Sequence, residues 1–264
     1  MPDGNDQALA SVEAVAAEMF GSSLPQAQKY AELLTGSGVE RGVVGPAEAE
    51  RIWDRHLLNC GAIARLVPAK AAVVDLGSGA GLPGIVLAIL LPGVRVTLLE
   101  PLARRVDFLA ECVAELGLSN AEVVRGRAED LAGHTLGDVV TSRAVAPLDK
   151  LAGLSLGLAR PGGRILAIKG ASAETELAKA RPVLARLGVT DARVVHAGSA
   201  GGGATATVVT FTAPEHRVSG TASSGRSAGR PDSRPGGRPG NRGGYGAGSA
   251  AGRKARPNSR RGGG

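Results

Sequence analysis

The chain has 264 residues and a formal net charge of +7, room for one good-sized domain with appendages. Its only cysteines are Cys60 and Cys112, which leaves a disulfide framework and a cysteine-based zinc site without support and suits a reducing cytosol. The longest purely apolar run, Ile85–Leu91, is too short to span a bilayer. The acidic, polar start is unlike a signal peptide. A cytoplasmic monomer without metal or membrane contact is expected. The charge is uneven: Arg217–Gly264 holds ten Arg and one Lys against Asp232 alone, so the remainder is slightly acidic.

Residues 1–70 read as a helical extension, with helices predicted over Gln7–Phe20, Pro25–Thr35 and Ala47–Leu66. From 71 to 212 short apolar runs alternate with segments of helical period. Strands are predicted at Ala72–Leu76, Arg95–Glu100, Ala121–Arg125, Asp138–Ser142, Arg164–Lys169, Ala192–His196 and Thr205–Thr212. Helices fall between most of them, at Gly84–Leu91, Leu102–Leu116, Leu148–Ala159 and Ala173–Leu187, the last kinked or restarted at Pro182. Strand–helix alternation means a parallel sheet covered on both faces, an α/β fold. The last two strands are separated by "AGSAGGGA", too short for a crossover helix, and should pair antiparallel. Residues 213–264, poor in apolar side chains, should be a disordered basic tail.

Ligands of such sheets bind beyond the carboxyl ends of the strands. The first strand ends in "VVDLGSGAGLPG". It contains G-x-G-x-x-G, but counted from the first loop glycine, Gly77, the third fingerprint position is Leu82. The match that works starts late, at Gly79, and puts Pro83 where a phosphate turn wants an amide N–H. Pro83 fits instead the first turn of the next helix. Asp75 is poorly placed for a pyrophosphate and suits a ligand with an ammonium group, such as S-adenosylmethionine, while Gly77 and Gly79 let the backbone approach it. Glu100 ends the second strand, where a carboxylate accepts both ribose hydroxyls. The third strand runs into "RGRAEDL", which places the Ala128 backbone and Glu129 or Asp130 at an adenine edge. Three acids at successive strand ends suit a cofactor without phosphates. NAD or another nucleotide is the remaining alternative.

The fourth strand ends in "TSRAVAPLDKL". It lacks the Asn/Asp-Pro-Pro-Tyr/Phe pattern of exocyclic adenine methylation, and no cysteine stands at a strand end for the covalent cytosine route. It offers Arg143, and Lys169 ends the following strand. Two cations at the mouth suggest an anionic or electron-rich substrate, with Arg143 pairing to Asp75 or Glu129 as the plainer reading. Phe108 and Trp53 are expected in packing roles by their helical spacing, and His56 in a structural one.

Together with "VVDLGSGAGLPGIVLAI", "TLLEPLARRVDFL", "VVRGRAEDL" and "ILAIKG", that stretch resembles the 16S rRNA (guanine-N7) methyltransferase G family, also called the glucose-inhibited division protein B family. "IWDRHLLNC" resembles its N-terminal helical signature, with Arg55, His56 and Leu57 in register. The resemblance implies a class I S-adenosylmethionine-dependent methyltransferase, Rossmann-like with a seven-stranded, mostly parallel sheet. It implies methylation at N7 of a guanosine in the 530 loop of small-subunit rRNA. By motif, Gly77, Leu82, Ala128, Glu129 and Arg143 would contact the cofactor. Arg127, Arg143 and Lys169 would be the basic residues near the RNA and the reacting base. Two departures stand out: Asn59-Cys60 where an Asp-Ser-like pair is expected, and the long tail. Another RNA base, or a non-catalytic ribosome-binding role, remains the rival reading.

N7 of guanine has a lone pair and no proton, so catalysis should rest on positioning and electrostatics rather than on a general base. The tail repeats Arg with Gly, a composition that binds RNA phosphates with strong salt dependence. A chain ending at Pro214 is expected to bind 16S rRNA more weakly and with a shallower salt slope than the full chain in a filter-binding titration. Equal affinities and slopes would leave the tail without an RNA-binding role.

Overall fold

The computed structural model describes residues 4–198 and 203–215; Ala213, expected in the tail, is instead buried and bonded to Gly162 and Gly163, and from residue 216 on the tail, with the expectation of disorder there, lies outside the described residues. Seven strands form one sheet: β1 (Ala72–Leu76), β2 (Arg95–Glu100), β3 (Ala121–Arg125), β4 (Gly137–Arg143), β5 (Ala159–Lys169), β6 (Arg193–Gly198) and β7 (Thr205–Thr212). Their order is β3-β2-β1-β4-β5-β7-β6. All neighbours are parallel except β7, which runs antiparallel to both β5 and β6. This is the α/β architecture expected, a seven-stranded, mostly parallel sheet. The order reverses between β1 and β4, and the crevice above that point is where open α/β sheets bind ligands.

Alternation along each strand divides the core into two layers. Val73, Leu98, Val139, Leu166 and Val208 face one layer; Val74, Leu99, Val140, Ala167 and Val209 face the other. The first layer is covered by helices Gly84–Leu90 and Ala103–Glu115 and by the N-terminal segment, whose Tyr30, Leu34, Leu57 and Ile63 are fully buried in it. The second is covered by Leu148–Leu158 and Ala173–Arg186. The N-terminal helices are therefore part of the main core. Phe20 and Trp53 meet edge to face there, with centroids 6.2 Å apart, and Phe108 is fully buried, as their spacing suggested.

Two helix expectations change. Ala47–Leu66 is not one helix. It breaks into Pro46–Ala49, a π-helical turn at Ile52–Leu57, a short turn at Leu58–Gly61 and a 3-10 turn at Ala64–Leu66. The burial pattern changes along it: within the π-helical turn Trp53 is half-buried and Asp54 and Arg55 are exposed, whereas from His56 to Ile63 every residue but Asn59 is buried. Helix Ala173–Arg186 runs through Pro182 without restarting. Pro182 and Ala178, the residue whose carbonyl loses its partner, are both exposed, so water can take up that carbonyl. A short helix at Ala128–Leu131 follows β3, and β5 begins earlier than expected, at Ala159. Among the described residues no helix is long and apolar enough to cross a membrane, and no group of three His, Cys, Asp or Glu is placed to hold a metal ion.

Helix Gly84–Leu90 starts pressed against the sheet. A Cβ on Gly84 would lie 2.3 Å from Leu98 Cδ2, 2.6 Å from Asp75 Oδ2 and 2.9 Å from Asp75 Cβ. Gly84 thus does the packing work of a third fingerprint glycine. Gly84→Ala is expected to destabilise the fold by about 1–3 kcal/mol, read as a lower urea midpoint at unchanged m-value.

Candidate active site

The glycine loop after β1 is shaped from three sides. Gly77, Gly79 and Gly81 have φ of 68°, 60° and 95°, conformations that side chains resist. From the N-terminal segment, the buried Tyr30 hydroxyl donates to Ala80 O at 2.6 Å. From β2, Glu100 Oε2 accepts the Gly79 N–H at 2.9 Å, and its Oε1 accepts Leu102 N–H at 3.1 Å. From below, Asp75 Oδ2 accepts the Gly84 N–H at 3.0 Å, meeting one of the amides a helix start leaves unpaired.

Above the loop lies a cavity of about 550 Å³, within the roughly 300–1,000 Å³ of small-molecule sites. Gly77, Gly79, Leu82, Glu100, Arg127, Ala128, Glu129 and Arg143 all line it. The strand ends therefore bring these eight expected residues round one space. Leu76, Leu99 and Leu102 give it apolar walls, and His56 reaches it from the N-terminal segment. A purine between apolar side chains, with acids and amides at its edges, matches this lining. A pyrophosphate facing Glu100 and Glu129 does not. S-adenosylmethionine fits the cavity on those grounds.

Two expected residues sit elsewhere. Asp75 is fully buried and does not line the cavity. It holds the loop from beneath instead of lining the cavity, because its side chain packs under Gly84. Burial, reinforced by the nearby Glu100, raises its carboxyl from 3.8 to about 7. Lys169 is not a free cation. Its side chain is only 9% exposed and binds Glu176 Oε2 at 2.8 Å and Ala146 O at 2.8 Å. It lines a second, larger polar groove of about 980 Å³, beside Glu48, Arg51, Arg55 and Lys179.

Arg143, Ala144 and Val145 line both spaces and form the rim between them. Arg143 pairs with neither Asp75 nor Glu129. Its Nη1 donates to Cys60 Sγ at 3.3 Å and its Nη2 to Arg55 O at 3.1 Å. Burial pushes the Cys60 thiol up to about 11, so Arg143 rests on neutral acceptors. His56 Nε2 meets Glu48 Oε2 at 2.7 Å. Burial and then the Arg143 charge hold its pKa below the ordinary histidine value, against the pull of Glu48. The N-terminal residues Tyr30, Glu48, Arg55, His56 and Cys60 are thus built into the site. Arg55 and His56 were visible as a motif, but Tyr30 and Glu48 stood in no pattern, and Cys60 stood out only as a departure.

A family model described as rRNA small subunit methyltransferase G matches residues 23–202. A ribosomal RNA small subunit methyltransferase G from Thermobifida fusca (strain YX) is 52% identical over 209 residues, covering 79% of this chain and 88% of the relative. One from Mycolicibacterium gilvum (strain PYR-GCK) is 54% identical over 210 residues, covering 76% and 91%. Among solved structures, the apo S-adenosylmethionine-dependent methyltransferase SibL matches with a TM-score of 0.50 at 17% identity, over 63% of this chain and 57% of that one; the likeness is one of fold.

Asp75 makes stability depend on pH. Folded, its carboxyl keeps the proton up to about pH 7; unfolded, it releases it near 3.8. Between those values the folded state binds more protons, so the contribution is present at low pH and lost as pH rises towards 7. Asp75→Asn keeps an acceptor for Gly84 and removes the titration. In urea melts, wild type is expected to lose stability relative to Asp75→Asn from pH 4 to 7 and to level off above. Parallel curves would rule this out.

Proposed function

The chain belongs to the rRNA small subunit methyltransferase G family, and from that premise we propose that it methylates N7 of a guanosine in the 530 loop of 16S rRNA. One observation supports this reading above the others. A cofactor-sized cavity at the strand ends and a larger polar groove share a single rim, Arg143–Val145. A base presented from the groove side would meet a ligand held on the cavity side across three residues. The target must leave its stack to do so, since side chains cannot read the deep major groove of A-form RNA.

S-adenosylmethionine supplies an electrophilic methyl group on sulfur. The chain's part is to hold and orient. We assign Glu100, already fixed by two backbone amides, to the ribose hydroxyls. Gly77, Gly79 and Leu82 form the floor. Ala128 opens a helix, so its N–H has no acceptor within that helix; with Glu129 it is assigned to the adenine edge. N7 already carries a lone pair, so no residue need remove a proton. Methyl transfer puts positive charge on the purine, and a guanidinium against N7 would oppose it. Arg143 is therefore assigned to O6, a phosphate or the cofactor carboxylate. Its hold on Cys60 Sγ and Arg55 O limits where it can reach. Arg127, exposed on the opposite rim, is assigned to RNA phosphate. The work is positioning and electrostatics, carried out in the cytoplasm by a monomer on the small ribosomal subunit.

Purified protein given small subunits that lack the mark is expected to form N7-methylguanosine in 16S rRNA, located by mass spectrometry of nuclease fragments. Methylation at another base, or none, would refute the reading. Arg143→Ala is expected to lower kcat/KM by about a hundredfold, and a fully active Arg143→Ala would remove Arg143 from its role.

A further inference from the structure

We propose that Lys169 and Glu176 are positioning residues for the turn between the two cavities, and that Lys169 holds this turn instead of binding RNA phosphate. The proposal rests on the methyltransferase reading above for its kinetic test only.

The turn is Ala144–Pro147, between the end of β4 and helix Leu148–Leu158. Its geometry is unusual at the rim itself. Ala144 has φ 54°, a conformation that persists in a non-glycine residue only when its surroundings enforce it. Val145, 37% exposed, packs over Gly77, where an added Cβ would lie 2.9 Å from Val145 Cγ2. A shift of this turn would reshape the cofactor cavity and the groove together.

What enforces the turn is a compact polar cluster. Lys169 Nζ donates to Ala146 O at 2.8 Å and to Glu176 Oε2 at 2.8 Å. Glu176 Oε2 also accepts the Leu148 N–H at 3.1 Å, and its Oε1 accepts Ser172 Oγ–H at 2.9 Å. The cluster grips the turn at Ala146 and at the first residue of the next helix. These bonds also keep Glu176 charged: burial works against the carboxylate, but Lys169 and Ser172 bring its pKa below the ordinary value. Removing one partner of such a pair strands the other. Lys169 could reach a phosphate in the groove only by abandoning Glu176 and Ala146.

The two roles predict opposite results. Wild type, Lys169→Met and Glu176→Gln are compared for kcat and RNA KM on unmarked small subunits, and for rRNA binding across salt concentrations. Positioning predicts that both variants lose about tenfold or more in kcat, with RNA affinity and its salt slope unchanged. A phosphate contact predicts that Lys169→Met alone raises RNA KM and flattens the salt slope by about one; that result, or unchanged kcat in Glu176→Gln, overturns the proposal. If Lys169→Met does not fold, Glu176→Gln decides alone by the same kcat and slope. Amide exchange at Leu148 tests the grip without any activity. It is expected to quicken in Glu176→Ala relative to wild type, and equal rates overturn the proposal even if the methyltransferase reading holds. A wild type that methylates nothing would refute that reading and leave the exchange test standing.

Discussion

A helix begins at Gly84 directly above the carboxyl of Asp75, close enough that no side chain fits between them. The rest of the site follows from that approach. The chain leaving β1 has to turn back over its own strand end within a few residues, which demands positive φ at Gly77, Gly79 and Gly81. The loop so formed is open to the carboxyl edge of the sheet and closed below. Its upper surface becomes the floor of the cavity, and Asp75 is sealed beneath. Burying an acid there costs desolvation, offset in part by the Gly84 amide it satisfies.

The N-terminal segment completes what the sheet begins. Tyr30 holds the loop at Ala80, and Arg55 and Cys60 hold Arg143 at the rim. Arg143 is thereby fixed by a thiol and a carbonyl, not by a carboxylate. An acid would have cancelled its charge, whereas these acceptors orient it and leave the field of the guanidinium intact. On the opposite side of the same turn, Lys169 is fully engaged with Glu176. Two cations close to one rim therefore differ in availability, and burial with partner choice accounts for the difference.

The strands were legible because alternation and β-branched runs between glycine-rich breaks leave little freedom. β1, β2, β3 and β7 match their predicted bounds, and the antiparallel close follows from a linker too short to cross the sheet. Helices were legible where one face is buried. The segment from Ala47 to Leu66 was not, because its apolar spacing runs on through a π-helical turn that no periodicity announces. Pro182 does not restart its helix; it and Ala178, whose carbonyl it frees, are both exposed, so water can take up that carbonyl.

The order of residue types along the chain was sufficient for the α/β class, for the glycine loop and the acids at successive strand ends, and so for a nucleoside-type cofactor. Those features depend on local chemistry: φ tolerance, strand alternation and charge at a strand terminus. Which acid lines the cavity and which lies beneath the loop depended on a helix settling onto β1. Whether a lysine at a strand end was free depended on a glutamate seven residues later, turned back by helix Ala173–Arg186. That an arginine would rest on a cysteine 83 residues away could be decided only by folding. Side-chain availability is a property of three-dimensional neighbours, and these came from distant parts of the chain.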